Sequence, residues 1–414
     1  MSSQPSTIQN QSTDFIPYGR QSITPEDIAA VTRVLSSNYL TQGPAIAQFE
    51  AALAQSCGAA HAVAVSSATS ALHLACLALG VSPGDWVWTS PISFVASANC
   101  ALYCGAQIDF VDIDPKTYNL SIDALTQKLT VAQKNNTLPK VIIPVHLAGQ
   151  SCDMAAIHEL SKTYGFRVIE DASHAIGGQY QDQPVGACQY SDLTVFSFHP
   201  VKIITTGEGG AVLTQSAALA EKVQELRMHG ITRDARKMQA YNATDNPPPP
   251  WYYEQRHYDH PALGINARMT DIQAALGSSQ LTRLSAMIVR RHQIAETYTT
   301  AFAPYADQIT CPWQLPESYS AYHLYIIRLK NATEAYHRTF FESLRAANIG
   351  VNLHYIPIYR HPYYQQHYGY NGVDFPKAEC YYREAISLPM FYGLTDEQQA
   401  RVIETVCDLV KRLN

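Results

Sequence analysis

The 414-residue sequence predicts an α/β protein: a large α/β/α domain on one mixed sheet over residues 15–285, then an interdomain helix and a smaller C-terminal α+β domain over 286–414. Three observations lead there. Helical and strand patterns alternate for most of the chain, as they do where crossover helices join the strands of one sheet. The length exceeds the roughly 250–300 residues at which a single core stops growing. Beyond Pro304, a strand, a helix, a second strand and a long terminal helix form a compact set of their own.

Composition excludes several partners. Net charge is −6 and no basic run exceeds Arg290-Arg291, which argues against nucleic acid or an anionic membrane and for a small molecule. Nine cysteines lie scattered without a CxxC pair, the usage of reduced thiols in a cytoplasmic protein. Residues 1–14 are rich in Ser, Gln and Asn, with neither a basic start nor an apolar run, and read as a disordered tail rather than a signal peptide. No metal-ligand spacing stands out.

Taken in order, Thr24-Pro25-Glu26-Asp27 starts a helix with proline at its first position and Ile28, Val31, Val34 and Leu35 as the apolar stripe. A polar connection over 38–43 follows. Residues 61–65 form a short buried strand that passes through Ser66-Ser-Ala-Thr-Ser70 into a helix over 71–79, closed by Gly80. Small hydroxyl residues at a helix start suit an anion, because free N–H groups and the positive end of the dipole face it. Ordinary capping is the commoner reason for them, so a phosphate site needs support from elsewhere in the chain.

Strands over 85–90 and 107–114 flank a crossover helix over 91–102, with Phe94 at its entry, either in the core or flat against a planar ligand. Strands over 140–146 and 166–170 flank a helix over 154–164. The second strand ends in Glu170-Asp-Ala-Ser-His174, and carboxylates at the C-terminal ends of parallel strands face the ligand crevice. Adjacent strand residues point oppositely, so only one of Glu170 and Asp171 serves the crevice; His174 returns to that side if the chain turns helical. Residues 195–202, Val-Phe-Ser-Phe-His-Pro-Val-Lys, alternate as a half-buried strand does, and Pro200 with Gly207, Gly209 and Gly210 ends it. Lys202 therefore sits beside a turn at a strand end.

A lysine amine, a carboxylate for a ring nitrogen, a helix start for a phosphate and an aromatic face together are what pyridoxal phosphate requires. In the second half, Pro247 to Pro250 followed by Trp251 make residues 232–260 a surface excursion or a lid. An amphipathic helix over 269–284 and an interdomain helix over 286–302 come next. The small domain then reads as a strand over 323–329, a helix over 333–347, a strand over 350–355 and a helix over 395–413.

Six blocks in order resemble the DegT-type nucleotide-sugar aminotransferases from about Tyr18 to the C-terminus: Ser67-Ala-Thr-Ser-Ala-Leu-His, Thr89-Ser-Pro-Ile-Ser-Phe-Val-Ala, Glu170-Asp-Ala-Ser-His, Phe196-Ser-Phe-His-Pro-Val-Lys, Gly207-Glu-Gly-Gly, and Gly264 through Gly277. The resemblance implies the aspartate-aminotransferase-like fold, PLP-dependent transferase fold type I, working as a homodimer. It also implies roles. Lys202 would hold pyridoxal phosphate through its amine, Asp171 would pair with the pyridine nitrogen, Phe94 would stack on the ring, and Ala68, Thr69 and Ser197 would hold the phosphate. His174, where many relatives have glutamine, would bond the phenolic oxygen, and Asn266 would reach the phosphate across the dimer interface. Some relatives replace the lysine by histidine and catalyse dehydration; this chain keeps the lysine.

Within that family, Tyr39-Leu-Thr-Gln-Gly, Ser90-Pro-Ile-Ser-Phe-Val-Ala, Val201-Lys-Ile-Ile-Thr-Thr-Gly-Glu-Gly-Gly and His354-Tyr-Ile-Pro-Ile-Tyr are similar to the transaminases of pseudaminic acid synthesis. The similarity implies substrate contacts from Tyr18, Asn38, Tyr39, Leu40, Thr41, Ser67, His354, Tyr355, Ile356, Pro357 and Tyr359. It implies amination at C4 of UDP-2-acetamido-2,6-dideoxy-β-L-arabino-hex-4-ulose, with L-glutamate as amino donor and Arg268 as the partner of its carboxylate. The alternatives are another C4 or C3 nucleotide-sugar aminotransferase, of bacillosamine, perosamine or 4-amino-arabinose type, and a non-catalytic PLP-binding regulator.

Overall fold

The computed structural model describes residues 15–232 and 262–413. The predicted tail over 1–14 and the segment around Pro247 to Pro250 lie outside the described residues.

Helices α1 (Pro25–Leu35) and α2 (Pro44–Cys57) precede the main sheet. Its strands are β1 (His61–Val65), β2 (Trp86–Thr89), β3 (Gln107–Phe110), β4 (Val141–Ile143) and β5 (Arg167–Asp171). A small hairpin of β6 (Gln179–Tyr180) and β7 (Gln183–Pro184) leads to its last two strands, β8 (Leu193–Ser197) and β9 (Gly210–Thr214). The spatial order is β1-β9-β8-β5-β4-β2-β3. All contacts are parallel except those of β9, which runs antiparallel to both β1 and β8. Helices α3 (Ala68–Ala78), α4 (Ala96–Tyr103), α5 (Ile122–Asn135), α6 (Met154–Tyr164) and α7 (Ala217–Leu226) cover it. Both faces are thus shielded, which is why Val141, Ile142 and Ile143 are apolar in succession and all buried.

The predicted stripe on α1 does not face the core. Asp27 and Ala30 are its buried residues, while Ile28 and Leu35 are 61% and 56% exposed. The reason is polar: Asp27 Oδ2 accepts from Thr24 N as part of a capping box, from Gln280 Nε2 at 2.7 Å and from Arg283 Nη2 at 2.6 Å. Those partners end α8 (Asp271–Leu281) and precede α9 (Leu284–Phe302), so a buried acid, not an apolar seam, fixes α1.

Helix α9 joins two cores. Leu284, Met287 and Ile288 pack with the large domain, whereas Ile294, Ala295, Tyr298 and Phe302 pack with the C-terminal residues. With the buried Arg291 between the two groups, three- and four-residue spacing gives one continuous buried stripe. Ile16, grouped with the large domain by sequence order, packs in the C-terminal core and bridges Ile349.

The small domain carries a second sheet, β10 (Ile309–Thr310), β12 (Tyr325–Leu329) and β13 (Ala385–Leu388), while β11 (Ser318–Tyr319) pairs with β6. Helices α10 (Glu334–Ala346), α11 (Pro362–Tyr368), α12 (Pro376–Glu384) and α13 (Asp396–Leu413) surround it. The strand predicted over 350–355 is absent. Only Asn352 pairs its backbone with the sheet, exchanging bonds with Ser387 at 2.9 and 3.3 Å. The His354 side chain then takes the Ser387 hydroxyl at 2.7 Å, and the chain leaves the edge toward the large domain. Among the described residues, no helix is long and apolar enough to cross a membrane.

Candidate active site

A cavity of about 580 Å³ opens where β1, β5 and β8 end, walled on the far side by residues 352–356. Strand alternation sorts the two acids of β5 as expected. Glu170 points away and accepts from His146 Nε2 at 2.7 Å, from Thr194 Oγ1 at 3.1 Å and from Ser191 Oγ. Burial works against its charge, yet His146, Ser191 and Thr194 together hold the carboxyl below its usual range. Asp171 lines the cavity; its Oδ1 accepts from Ser173 N at 3.1 Å and its Oδ2 from Ser97 Oγ at 2.6 Å. Because Ser97 donates there, it accepts from Ser93 Oγ at 2.7 Å.

Beyond β8 the chain makes a closed loop. Phe198 N–H bonds Gly209 O, Thr206 N–H bonds Phe198 O, and Lys202 N–H bonds His199 O at 2.9 Å. Lys202 is half-buried in the cavity wall. Burial brings its amine down to about 8, against an opposing pull from Asp171.

The third wall is the start of α3. Ser67 is its N-cap, its Oγ accepting from Ser70 N at 3.1 Å, and Ala68 and Thr69 follow as the first helical residues. Their N–H groups have no intrahelical partner and face the cavity rim with Ser197. Strand β9 starts against this turn only because residue 210 is glycine. A Cβ there would stand 2.6 Å from Ala68 N and from Ser67 C.

The cavity therefore brings together Lys202, Asp171, Ser67, Ala68, Thr69, Ser197, Phe94, His174, Tyr18, His354, Tyr355 and Ile356. Phe94 lines the space and keeps 58% of its surface exposed. His174 lines the cavity as expected, with Nδ1 at 3.3 Å from Ala148 N and Nε2 at 3.0 Å from the Tyr355 hydroxyl.

Pro357 and Tyr359 do not reach the cavity. Tyr359 is fully buried against Phe110 and Phe375, and its hydroxyl donates to Glu379 Oε1 at 2.7 Å; an aromatic core under β3 holds it. Asn38, Tyr39, Leu40, Thr41, Asn266 and Arg268 also lie outside, gathered on one edge. Thr41 bridges Thr270, Leu40 O accepts from Asp271 N, and Arg268 bridges Val65. Tyr39, Leu40 and Leu263 are 55%, 49% and 84% exposed.

Sequence reasoning missed Ser93, Ser97 and His323. Ser93 lies in the turn before α4 and Ser97 in its first turn, a signal only once the fold brings Ser97 to Asp171. His323 is buried beside His174, with ring centroids 4.4 Å apart and an unpartnered Nδ1.

Residues 21–407 match the model of the DegT/DnrJ/EryC1/StrS aminotransferase family. The chain belongs to that family. As a DegT/DnrJ/EryC1/StrS member it is an aminotransferase, and its relatives agree. The spore coat polysaccharide biosynthesis protein SpsC of Bacillus subtilis is 40% identical over 96% of this chain and 97% of its own. PseC of Helicobacter pylori, an aminotransferase involved in the biosynthesis of pseudoaminic acid, superposes with a TM-score of 0.85 at 32% identity, covering 96% of this chain and 99% of its own. Spr1654 of Streptococcus pneumoniae, solved in apo, PLP and PMP forms, superposes at 0.84 with 29% identity, its apo form covering 96% of this chain and 98% of its own. The expected fold is therefore the observed one.

Proposed function

We propose that this family member binds pyridoxal phosphate and aminates C4 of UDP-2-acetamido-2,6-dideoxy-β-L-arabino-hex-4-ulose, taking the amino group from L-glutamate. The observation that carries the cofactor reading is the convergence of the Lys202 amine, the Asp171 carboxylate and the α3 N-terminus on one cavity. The residues fit the cofactor. Glycine at 210 keeps clear the Ser67–Ala68 turn that opens α3, where a Cβ would collide, and a phosphate suits that positive helix end.

When bound, pyridoxal phosphate supplies an electron sink for the carbon that gains or loses the amino group. Asp171, held by Ser97, would supply the negative charge that keeps a ring nitrogen protonated. Lys202, whose amine lies near 8, has an unprotonated fraction at neutral pH and so both accepts and returns a proton at Nζ. Phe94, exposed in the cavity wall, would lie against the ring.

The sugar assignment is supported by the PseC likeness and by the His354 to Ile356 wall opposite Lys202. Buried polar groups there would discriminate epimers, since the wrong one leaves them unpaired. The relation to SpsC favours a second reading, amination of a different nucleotide sugar for a surface polysaccharide. A homodimer is part of the proposal, with Asn266 and residues 38–41 serving the neighbour's site; the exposed Tyr39, Leu40 and Leu263 beside them support it.

The test is incubation with each C5 epimer of the UDP-linked 4-keto-6-deoxy sugar plus glutamate, with products identified by mass and NMR. C4 amination of the L-arabino epimer, with the D-xylo epimer a poor substrate, is the expected result. Equal efficiency on both, or amination at C3, overturns the sugar assignment and leaves the aminotransferase class standing.

A further inference from the structure

The bonds around His174 have only one consistent direction. A backbone amide can only donate, and Ala148 N meets His174 Nδ1 at 3.3 Å. A nitrogen that accepts carries no proton, so the neutral ring holds its proton on Nε2. That N–H lies 3.0 Å from the Tyr355 oxygen, which must accept it. The Tyr355 O–H is then left over. Tyr355 lines the cavity, and among the described residues no protein acceptor takes its proton.

The turn that supplies the amide is tightly set. Ala148 adopts a left-handed φ of 59°, and a Cβ on Gly149 would come within 2.8 Å of Tyr322 N and 3.0 Å of His174 O and His323 N. The amide therefore cannot swing away without unpacking two backbone segments. Burial, helped by the nearby Lys202 and His354, also holds His174 well below its usual range and keeps the ring neutral.

We propose that His174 and Tyr355 form a one-way hydrogen-bond donor. His174 is the positioning residue, and Tyr355 directs its O–H to an acceptor oxygen bound beside the reacting carbon. Resting on the function proposed above, that oxygen has two chemically similar sources: the carbonyl of the keto sugar and the phenolic oxygen of the cofactor. The donor reaches the cavity through Tyr355.

The first experiment is nitrogen NMR on the histidine-labelled holoenzyme, with His174→Gln used to assign the His174 signals. The expected state is the neutral Nε2–H form throughout the active pH range; an Nδ1–H form or an imidazolium overturns the proposal. Kinetics supply the second arm. Tyr355→Phe and His174→Met should each lower kcat by about tenfold to a hundredfold, the loss of one well-directed bond. His174→Gln should recover most of that loss, because its amide oxygen accepts from Ala148 while its NH₂ donates to Tyr355, the same direction as the imidazole. Absence of recovery in a Gln variant with an unchanged melting temperature overturns the proposal.

The absorption spectrum of the sugar-free holoenzyme separates the two sources. A shifted pH titration in Tyr355→Phe assigns the acceptor to the cofactor; an unshifted one with reduced turnover assigns it to the sugar carbonyl. Neither change overturns the donor. Should the wild type fail to turn over the UDP-keto sugar, the substrate reading falls, while the tautomer and the spectrum still judge this proposal.

Discussion

Ser97 donates its hydroxyl to Asp171 Oδ2 across 2.6 Å, and both side chains are buried. The acid at the floor of the cavity is thus braced from α4, with Ser93 behind. A hydrogen bond to a charged group is worth roughly 1.5–3 kcal/mol. Ser97→Ala should therefore lower kcat by about tenfold or more while the sugar KM moves little. Ser97→Thr should keep most activity. Steady-state kinetics on the pair check this; equal losses in both would point to packing rather than to the hydroxyl.

Lys202→Ala should purify without the yellow colour of bound pyridoxal phosphate and should lose nearly all transamination. Asp171→Asn should retain part of the cofactor yet turn over at least about a hundredfold more slowly, since an amide supplies no charge for the ring nitrogen. Cofactor content and turnover measured on the same samples test both. Normal turnover in the Asn variant would remove Asp171 from the mechanism.

The Lys202 amine, at about 8, titrates well below its unfolded value near 10.4. Between those values the unfolded chain binds more protons than the folded, cofactor-free protein, so stability rises with pH across that window. Below about pH 8 the cost of the buried charge is present in full. The melting temperature of the cofactor-free protein should accordingly climb more steeply from pH 8 to about 10 than that of Lys202→Met. Uptake of added pyridoxal phosphate should also quicken as pH passes through about 8.

Tyr359→Phe separates the core reading from the sugar-pocket expectation. Loss of the bond to Glu379 should reduce stability by about 1–2 kcal/mol in denaturant melts, with kcat/KM and epimer preference unaltered. A changed preference would return Tyr359 to the pocket.

The proposed sharing of active sites between two chains predicts complementation. Lys202→Ala and Asn266→Asp chains, each inactive alone, should regain activity when mixed, because one site of each heterodimer then holds both intact residues. Demonstrated chain exchange without recovery would place the whole site within one chain.

Much of this was legible in the residues because local rules and tertiary structure coincide. The helix over 154–164 begins at Met154 and stops at Tyr164 before Gly165, which takes the left-handed cap, and β1 matches residue for residue. Strand alternation told that only one of Glu170 and Asp171 could serve the crevice, and the family resemblance pointed to Asp171. What was not legible depends on distant partners. The α1 stripe looked like a core face because nothing nearby announces that Asp27 meets Gln280 and Arg283. Tyr359 sits in the same hexapeptide as Tyr355, yet an aromatic cluster with Phe110 and Phe375 captures it. The segment over 350–355 has strand composition, yet it meets the outer edge of β13 only at Asn352 before His354 turns its ring onto Ser387 and the chain leaves the sheet.

Strand β9 gives the site a place in time. Residues 61–65 find their pairing partner only in residues 210–214, and β8 needs the same strand. A growing chain that has released α3 and Asp171 from the ribosome still lacks the strand that draws the phosphate turn and the lysine loop together. Contacts so distant in sequence form late, because loop closure must precede any reward from pairing. A nascent chain would thus expose β1 as an unpaired edge through the synthesis of the intervening residues, and cofactor capture would mark a topologically finished large domain.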